Sequence, residues 1–205
     1  MNDFFPAIKI SMTLASDQLY IFFPLLQQGL QVKTNIGSTI MTMLCEHFGV
    51  DREYVEGRIK TIFLDGQPVD DLDATIIEEG STIALSAAMP GLAGATLRRG
   101  SYLAAFRNQI TYRENKTDIP QKDGLVILKL FNLLVAELGP TLLKKGVYFQ
   151  REDFEVFMQS LSAEFWQACR RVKLDGQNVS PGKILEIIKR ENYELMFLQV
   201  VFEEK

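Results

Sequence analysis

The chain has 205 residues, of which 47% are apolar and 23% charged, and its net charge is −4. This composition excludes an intrinsically disordered chain, and so mild a charge gives no long-range field of the kind that marks nucleic-acid or anionic-membrane binders. Because domains cluster at about 100 to 150 residues, we expect two small domains. The two cysteines, Cys45 and Cys169, are too few for a disulfide framework or a thiolate metal cage, which suits a reducing compartment.

The amino terminus predicts neither secretion nor a membrane anchor. Residues 1–6 contain no basic segment and lead into no small-residue cleavage site, so we expect no signal peptide. The most apolar run nearby, residues 19–26, contains Pro24 and is shorter than the about 20 residues that span a bilayer. We therefore expect a cytoplasmic protein with no membrane partner.

The first hundred residues open with two predicted strands and a helix. Apolar side chains alternate along residues 7–14, which is the period-two pattern of a half-buried strand, and residues 30–34 alternate again after a turn at Gly29. We expect these two strands to form a hairpin with a long connection. A helix should follow, with Ser38 as its N-cap and Gly49 as its carboxy-terminal stop.

Two further strands complete this predicted domain. Residues 59–64 form a strand that runs into Asp65-Gly66, a strong turn signal, and the chain returns at Val69. After a polar stretch, residues 82–86 form a last strand, which ends before Pro90-Gly91. The order is strand, strand, helix, strand, turn, strand.

The sequence Ile-Phe-Leu-Asp-Gly-Gln-Pro-Val and its continuation, within residues 62–89, resemble the sulfur-carrier branch of the β-grasp (ubiquitin-like) superfamily. That branch includes the thiamine sulfur carrier and the small subunit of molybdopterin synthase. The resemblance covers about residues 30–95, and it implies a mixed sheet with one helix over residues 1–96. It also implies that the tail of this domain is the segment inserted into an enzyme partner.

Carrier chemistry in that family depends on a free terminal Gly-Gly, whose carboxylate is adenylated and converted to a thiocarboxylate. Here Gly94-Ala95 stands near that place, and the chain continues for another 110 residues. Carrier activity would therefore require cleavage after Gly94.

The rest of the chain predicts a connector, residues 97–122, and a mainly helical domain, residues 123–205, so that the whole is an α+β protein. Residues 125–138 are apolar nearly all round and end at Gly139-Pro140, as a buried central helix would. Gln150 and Ser162 are candidate N-caps of two further helices. Residues 195–202 fit a helix or a strand.

One short motif occurs in both halves of the chain. The motif Leu64-Asp65-Gly66-Gln67-x-Val69 recurs as Leu174-Asp175-Gly176-Gln177-x-Val179. It hints at duplication, but independent use of the same Asp-Gly turn chemistry is the interpretation we favour from sequence, because a capped helix and not a strand is expected after the second copy.

The sequence indicates no catalytic, cofactor-binding or metal-binding residues. With His47 as the only histidine, no histidine-based triad or two-histidine metal site is available, and Cys45 on the same predicted helix is expected to be a small core residue. No phosphate-binding glycine loop is present. A dense group of carboxylates is expected to be a solvated turn: Asp65, Asp70, Asp71, Asp73, Glu78 and Glu79.

We expect function to reside where the chain leaves the first sheet, because small residues there let a partner's backbone approach closely. The predicted partner-binding residues are Pro90, Gly91, Leu92, Gly94, Arg98 and Arg99. The basic and aromatic residues between Arg98 and Arg113 are expected to be a solvated connector, which makes nucleic-acid binding unlikely.

The sequence thus predicts a non-catalytic interaction or accessory subunit with no cofactor. The alternatives are a sulfur-carrier-like component processed near Gly94 and a small-molecule-binding protein. The apolar runs 19–26 and 195–202 indicate a homodimer or a stable protein partner.

Overall fold

The computed structural model describes residues 7–112, 119–180, 183–190 and 193–203. The chain divides into two compact units, of which the middle unit is Pro24–Leu138 and the terminal unit combines Met1–Phe23 with Gly139–Lys205. Both contain strands and helices, so the chain is α+β as expected. The predicted domain boundaries at residues 96 and 122 both fall inside the middle unit.

The elements are as follows. The strands in the described part of the chain are β1 (Ala7–Ala15), β2 (Leu30–Ile36), β3 (Thr61–Leu64), β4 (Gln67–Pro68), β5 (Thr82–Ser86), β6 (Lys122–Phe131), β7 (Val147–Gln150), β8 (Cys169–Leu174), β9 (Gln177–Asn178) and β10 (Leu195–Glu203). The α-helices there are α1 (Phe23–Gln28), α2 (Ile40–Thr42), α3 (Arg52–Arg58), α4 (Gly91–Leu97), α5 (Leu133–Lys145), α6 (Arg151–Ser160), α7 (Ala163–Ala168) and α8 (Ile184–Arg190). A π-helical turn, Met43–His47, continues α2, and Ser16–Phe22 and Tyr102–Arg107 are 3-10 helices.

The middle unit holds five strands of mixed direction in the order β4-β3-β5-β6-β2. Its central pair, β5 and β6, is parallel, and the other pairs are antiparallel. The strand over residues 7–14 and the strand at β2 are both confirmed, but the expected hairpin between them is wrong, because β2 pairs with β6 along its whole length. β6 is the better partner, since its ten residues reach both neighbours and alternate buried positions with less buried ones.

The predicted helix over residues 125–138 is wrong in its first half. Those residues continue β6 to Phe131, Asn132 then takes a positive φ of 56°, and only afterwards does α5 begin. A short apolar run fits a central strand as well as a buried helix, and periodicity does not separate the two. Nor does Pro140 end the helix, since α5 continues to Lys145. A mainly helical carboxy-terminal region is therefore not confirmed.

The terminal unit also holds five strands, in the order β9-β8-β1-β10-β7. Again the central pair, β1 and β10, is parallel and the others are antiparallel. The undecided residues 195–202 are strand. Both predicted caps are confirmed, since Gln150 precedes α6 and the Ser162 hydroxyl accepts a 3.2 Å bond from the Phe165 N–H at the start of α7.

The interiors of the two units differ in kind. In the terminal unit phenylalanine rings pack together, with Phe22 and Phe157 centroids 5.6 Å apart and Phe149 and Phe154 centroids 5.5 Å apart. The middle unit is filled mainly by aliphatic side chains, such as the fully buried Ile40 at the start of α2. The N-cap of α2 is Thr39, one residue after the predicted Ser38, and its hydroxyl accepts from the Thr42 N–H.

The two halves of the chain repeat the same order of elements. In each, a strand leads through a helix to a glycine of positive φ, Gly29 at 111° and Gly146 at 104°, and then to a second strand, β2 or β7. Helical segments, an Asp-Gly hairpin and a last strand follow. β1 begins the first half and β6 the second, yet each pairs with strands of the other half.

The echoed hairpins also make equivalent contacts. Asp65 and Asp175 both have positive φ, and each carboxylate accepts a backbone N–H from the neighbouring strand, that of Thr82 at 2.7 Å and that of Lys9 at 3.0 Å. The recurrence extends to the order of local elements but not to the strand order, because β5 is the last strand of its half and β1 is the first strand of the chain.

Candidate interaction site

The segment that follows β5 is folded and not an extended tail. We define the exit segment as residues 90–112, which contains α4 and the 3-10 helix after it. Pro90 is the N-cap residue of α4, and Gly91 has a φ of 71°, a left-handed conformation that glycine adopts without strain. Both residues are exposed, so they lie on the surface as predicted for a docking segment.

Gly94 has an internal role. It is buried, and a Cβ added to it would lie 1.9 Å from the carbonyl oxygen of Met89. The Gly94 carbonyl also accepts from the Arg98 N–H at 3.0 Å. Gly94 thus lets α4 turn back against the chain that leaves the sheet, and it presents no backbone to a partner.

The two predicted arginines have different environments. Arg98 is exposed, whereas one guanidinium nitrogen of Arg99 donates to the carbonyls of Val55 and Ile59, both at 3.2 Å. Burial lowers the pKa of Arg99. These bonds satisfy carbonyls at the carboxy-terminal end of α3, so Arg99 anchors the exit segment, whereas the Arg98 side chain is left exposed.

Sequence reasoning missed the second anchor, Arg107. This side chain is only 3% exposed, and it donates to the Thr96 carbonyl at 2.8 Å, to the Thr111 hydroxyl at 2.8 Å and to the Asp70 carboxylate at 2.6 Å. The sequence offered it as one of several surface cations, because nothing local shows that Asp70 lies opposite. Arg113, the last residue of that basic and aromatic stretch, is outside the described residues.

On this anchored base the exit segment exposes large apolar side chains. Leu92 is 76% exposed, Tyr102 88%, Phe106 82% and Ile110 53%. Of these, only Leu92 was predicted. The signal that could have revealed the others is the presence of aromatic residues in a stretch without strand or helix periodicity.

The carboxylates between β4 and β5 hold the turn together. Asp71 accepts from the N–H groups of Asp73 and Ala74, Asp73 pairs with Arg52 at 2.6 Å, and the Glu79 carboxylate accepts from the Leu125 N–H at 2.8 Å. Within the described ranges no group of three or more potential ligands could hold a metal ion. These bonds give the carboxylates a structural explanation.

The two cysteines are partly buried and His47 is exposed. Burial raises the pKa of both the Cys45 and the Cys169 thiol, which disfavours the nucleophilic thiolate. Cys45 Sγ lies 3.6 Å from Met41 Sδ, and the His47 ring packs edge-on against Phe48 with centroids 5.2 Å apart.

Comparison with protein-family models, with curated proteins and with solved structures found no match for this chain. What can be stated of its class is therefore what its own structure displays: an α+β protein in which each of the two units holds five strands of mixed direction. Among the residues described, no helix has the length and apolar character needed to cross a membrane.

Proposed function

We propose that this protein is a non-catalytic interaction or accessory subunit that docks a protein partner through its exit segment, and that its middle unit is a β-grasp module. A mixed sheet with a helix between β2 and β3 supports the β-grasp assignment, as does the Asp-Gly hairpin that carries the sulfur-carrier resemblance. In this arrangement β6 occupies the place that the resemblance assigned to residues 7–14.

The observation that carries the proposal is the apolar surface of the exit segment. Leu92, Tyr102 and Phe106 are each more than three quarters exposed, which is unfavourable for an isolated surface. Burying such side chains contributes about 1.5–3 kcal/mol each, and aromatic residues are enriched in the centres of protein interfaces. Because Arg99 and Arg107 fix the base of the segment, little ordering entropy opposes docking.

The processed-carrier alternative has weaker support. Gly94 lies inside a helix, and cleavage after it would separate β5 from β6, its parallel neighbour at the centre of the sheet. A carrier tail needs a free and extended terminus, whereas this glycine is packed against Met89. For a small-molecule site, no contact among the described residues speaks in its favour.

The homodimer hypothesis also loses part of its basis. Phe22 and Leu26 from the first apolar run, and Leu198 and Val200 from the second, are at most 1% exposed. Their apolar character fills the interiors of the units to which they belong. A protein partner other than a second copy is therefore the partner we propose.

The test is photo-crosslinking followed by reconstitution. A photoreactive phenylalanine analogue at Tyr102, 88% exposed, should capture a partner in cells, and the purified partner should then bind the intact chain in calorimetry. The variant Leu92→Asp/Phe106→Asp should weaken that binding at least about tenfold, because two desolvated contacts become charges.

The matched control is Val156→Asp, which changes an equally exposed apolar side chain (68%) on α6, away from the exit segment. It should bind as the parent chain does. Glycine replacements are unsuitable, since a side chain at Gly94 would disrupt α4 itself. The proposal is wrong if the Leu92→Asp/Phe106→Asp protein folds and binds the captured partner with undiminished affinity.

A further inference from the structure

The sheet of the terminal unit has a second surface that the exit segment does not include. Along β1, Ile8, Ile10, Met12 and Leu14 point into the core, so Lys9, Ser11 and Thr13 lie on the opposite face. The register places Lys173 of β8 beside Ser11, and Arg171 beside Thr13. We define the basic face as Lys9, Ser11, Thr13, Arg171 and Lys173.

Two cations of this face, both on β8, are not neutralised by a carboxylate. Among the described residues, neither Arg171 nor Lys173 has an ion-pair partner. Two acidic groups of adjoining segments make other contacts, since Glu203 pairs with Arg170 at 2.8 Å and the Asp175 carboxylate accepts the Lys9 backbone N–H. An excess of cations on one sheet face is notable in a chain whose net charge is −4.

The middle unit carries no cations at the positions that match those on β8. Alignment of the two Asp-Gly hairpins matches Arg171 with Thr61 and Lys173 with Phe63. Thr61 is 1% exposed, whereas Arg171 is exposed. The terminal unit thus exposes a cation where the middle unit buries an uncharged side chain.

We propose that the basic face binds an extended, acidic segment of a partner protein. Arg171 and Lys173 are two residues apart on one strand, which separates their Cα atoms by about 6.6–6.8 Å, the spacing of alternate side chains in another extended chain. Carboxylates at alternate positions of a peptide would meet both cations, and the Ser11 and Thr13 hydroxyls lie beside them as hydrogen-bond donors.

A single-stranded nucleic acid fits this face less well. Its recognition on a sheet relies on exposed aromatic rings on which bases stack. Among the described residues, the strands of the terminal unit carry two neighbouring rings on this side, Phe197 and Tyr148, whose centroids are 4.9 Å apart, edge to face. Tyr148 is only 7% exposed, and Phe197 packs so closely on Gly146 that a Cβ there would lie 2.0 Å from its ring. Neither ring offers an open face.

The experiment measures fluorescence anisotropy of a labelled peptide of alternating Glu and Ser, about ten residues long, with the full-length protein. We expect saturable binding that weakens as salt is raised, since exposed charge pairs are screened over about 10 Å at 0.1 M. The Lys-Ser analogue should not bind. Arg171→Glu/Lys173→Glu should weaken binding about tenfold or more.

A charge-matched control is Lys129→Glu/Lys189→Glu, which changes the net charge by the same amount on β6 and α8. It should bind the peptide as the parent does. If the reversed variant fails to fold, Arg171→Gln/Lys173→Gln removes the charges without introducing repulsion and should still lower the affinity severalfold.

Three outcomes would overturn the proposal. One is the absence of saturable binding of the Glu-Ser peptide at low salt. Another is an equal loss of affinity in the control variant, which would mean that only net charge matters. The third is tighter binding of a labelled ten-nucleotide oligo-dT through the same two residues, which would assign the face to nucleic acid. None of these outcomes depends on the exit segment, so the two proposals fail or stand separately.

Discussion

Counted from the Asp-Gly hairpin, the strands of the two units pair in the same directions, yet their side chains differ on both faces. The terminal unit fills its core with phenylalanine and carries cations on β1 and β8, whereas the middle unit has an aliphatic core and places Phe63 and the buried Thr61 at the positions of the β8 cations. What they share is backbone chemistry: a positive-φ glycine before β2 and before β7, and an Asp-Gly hairpin. Backbone requirements thus set the architecture, while the exposed side chains are free to specialise.

The largest loss of stability should come from weakening β1, which pairs with strands of the second half of the chain. Met12 is 1% exposed at the centre of β1, so Met12→Ala should cost about 2–5 kcal/mol of unfolding free energy in chemical denaturation. Native-state hydrogen exchange should then show faster opening of β8 and β10, the neighbours of β1, than of β2.

The control for this exchange is Val126→Ala in β6, which is fully buried and should instead loosen β2 and β5. If Met12→Ala were to weaken protection chiefly in β2, then β1 would be the hairpin partner of β2. The pairing of β1 with β8 and β10 would then be wrong.

A smaller effect should distinguish the two equivalent glycines. Alanine at either position is strained by the positive φ, at a cost on the order of 1–3 kcal/mol. The added Cβ would lie 2.0 Å from Phe197 Cζ at Gly146 but 2.7 Å from Ile127 Cγ2 at Gly29. Because a packed ring gives way less easily, Gly146→Ala should be the more destabilising by about 1–3 kcal/mol in urea melts.

Gly57 provides the control for these glycine substitutions. It lies in α3 with no atom within 4 Å of an added Cβ, so Gly57→Ala should stabilise the protein by about 0.5–1 kcal/mol. Equal costs at Gly29 and Gly146 would show that backbone strain alone matters and that the aromatic core makes no difference.

The smallest effect concerns an ion cluster present in one repeat only. Glu137 of α5 accepts hydrogen bonds from Arg58 and Tyr54. Glu137 lies nine residues before Gly146, and the residue nine positions before Gly29 is Tyr20, which is exposed. The Arg58 guanidinium holds the pKa of Glu137 down at about 2, from 4.5, and burial together with the Glu137 carboxylate raises the pKa of Tyr54 to about 12, from 10.0.

The pH dependence follows from the signs of these shifts. The depressed pKa of Glu137 contributes stability above about pH 4.5 that is lost as the pH falls towards 2, and the raised pKa of Tyr54 contributes stability below about pH 10 that is lost as the pH rises towards 12. Glu137→Gln should lower the melting temperature slightly at neutral pH, and the gap should close in acid. A gap that stays constant from pH 7 to about pH 2 would contradict this assignment.

The sequence predicted local elements well wherever a local signal was decisive. The Asp65-Gly66 turn, the strand over residues 82–86 and the caps at Gln150 and Ser162 are all confirmed, because each depends on residues within a few positions of one another. The sequence-based prediction failed for residues 125–131, because a nearly unbroken apolar run fits either a strand or a helix. Here pairing with β2 and β5 decides that the segment is a strand.

In the candidate site, too, only the features that depend on local sequence could be predicted. Leu92, Pro90 and Arg98 could be placed on a surface from the sequence, since they follow a strand end in a stretch rich in small residues. The inward turn of Arg99 and Arg107 could not, because their partners lie at Ile59 and Asp70, far away along the chain.

By itself, then, the sequence determined the Asp-Gly turns, the caps at Gln150 and Ser162, the strands of the first hundred residues and the α+β class, because backbone conformation at glycine and aspartate is a local property. Only the tertiary structure decided which strands are neighbours: that β1 joins β8 and β10 and leaves β2 to β6. Strands of similar apolar pattern compete for the same edges, and the choice among them depends on the packing of whole units rather than on any one residue.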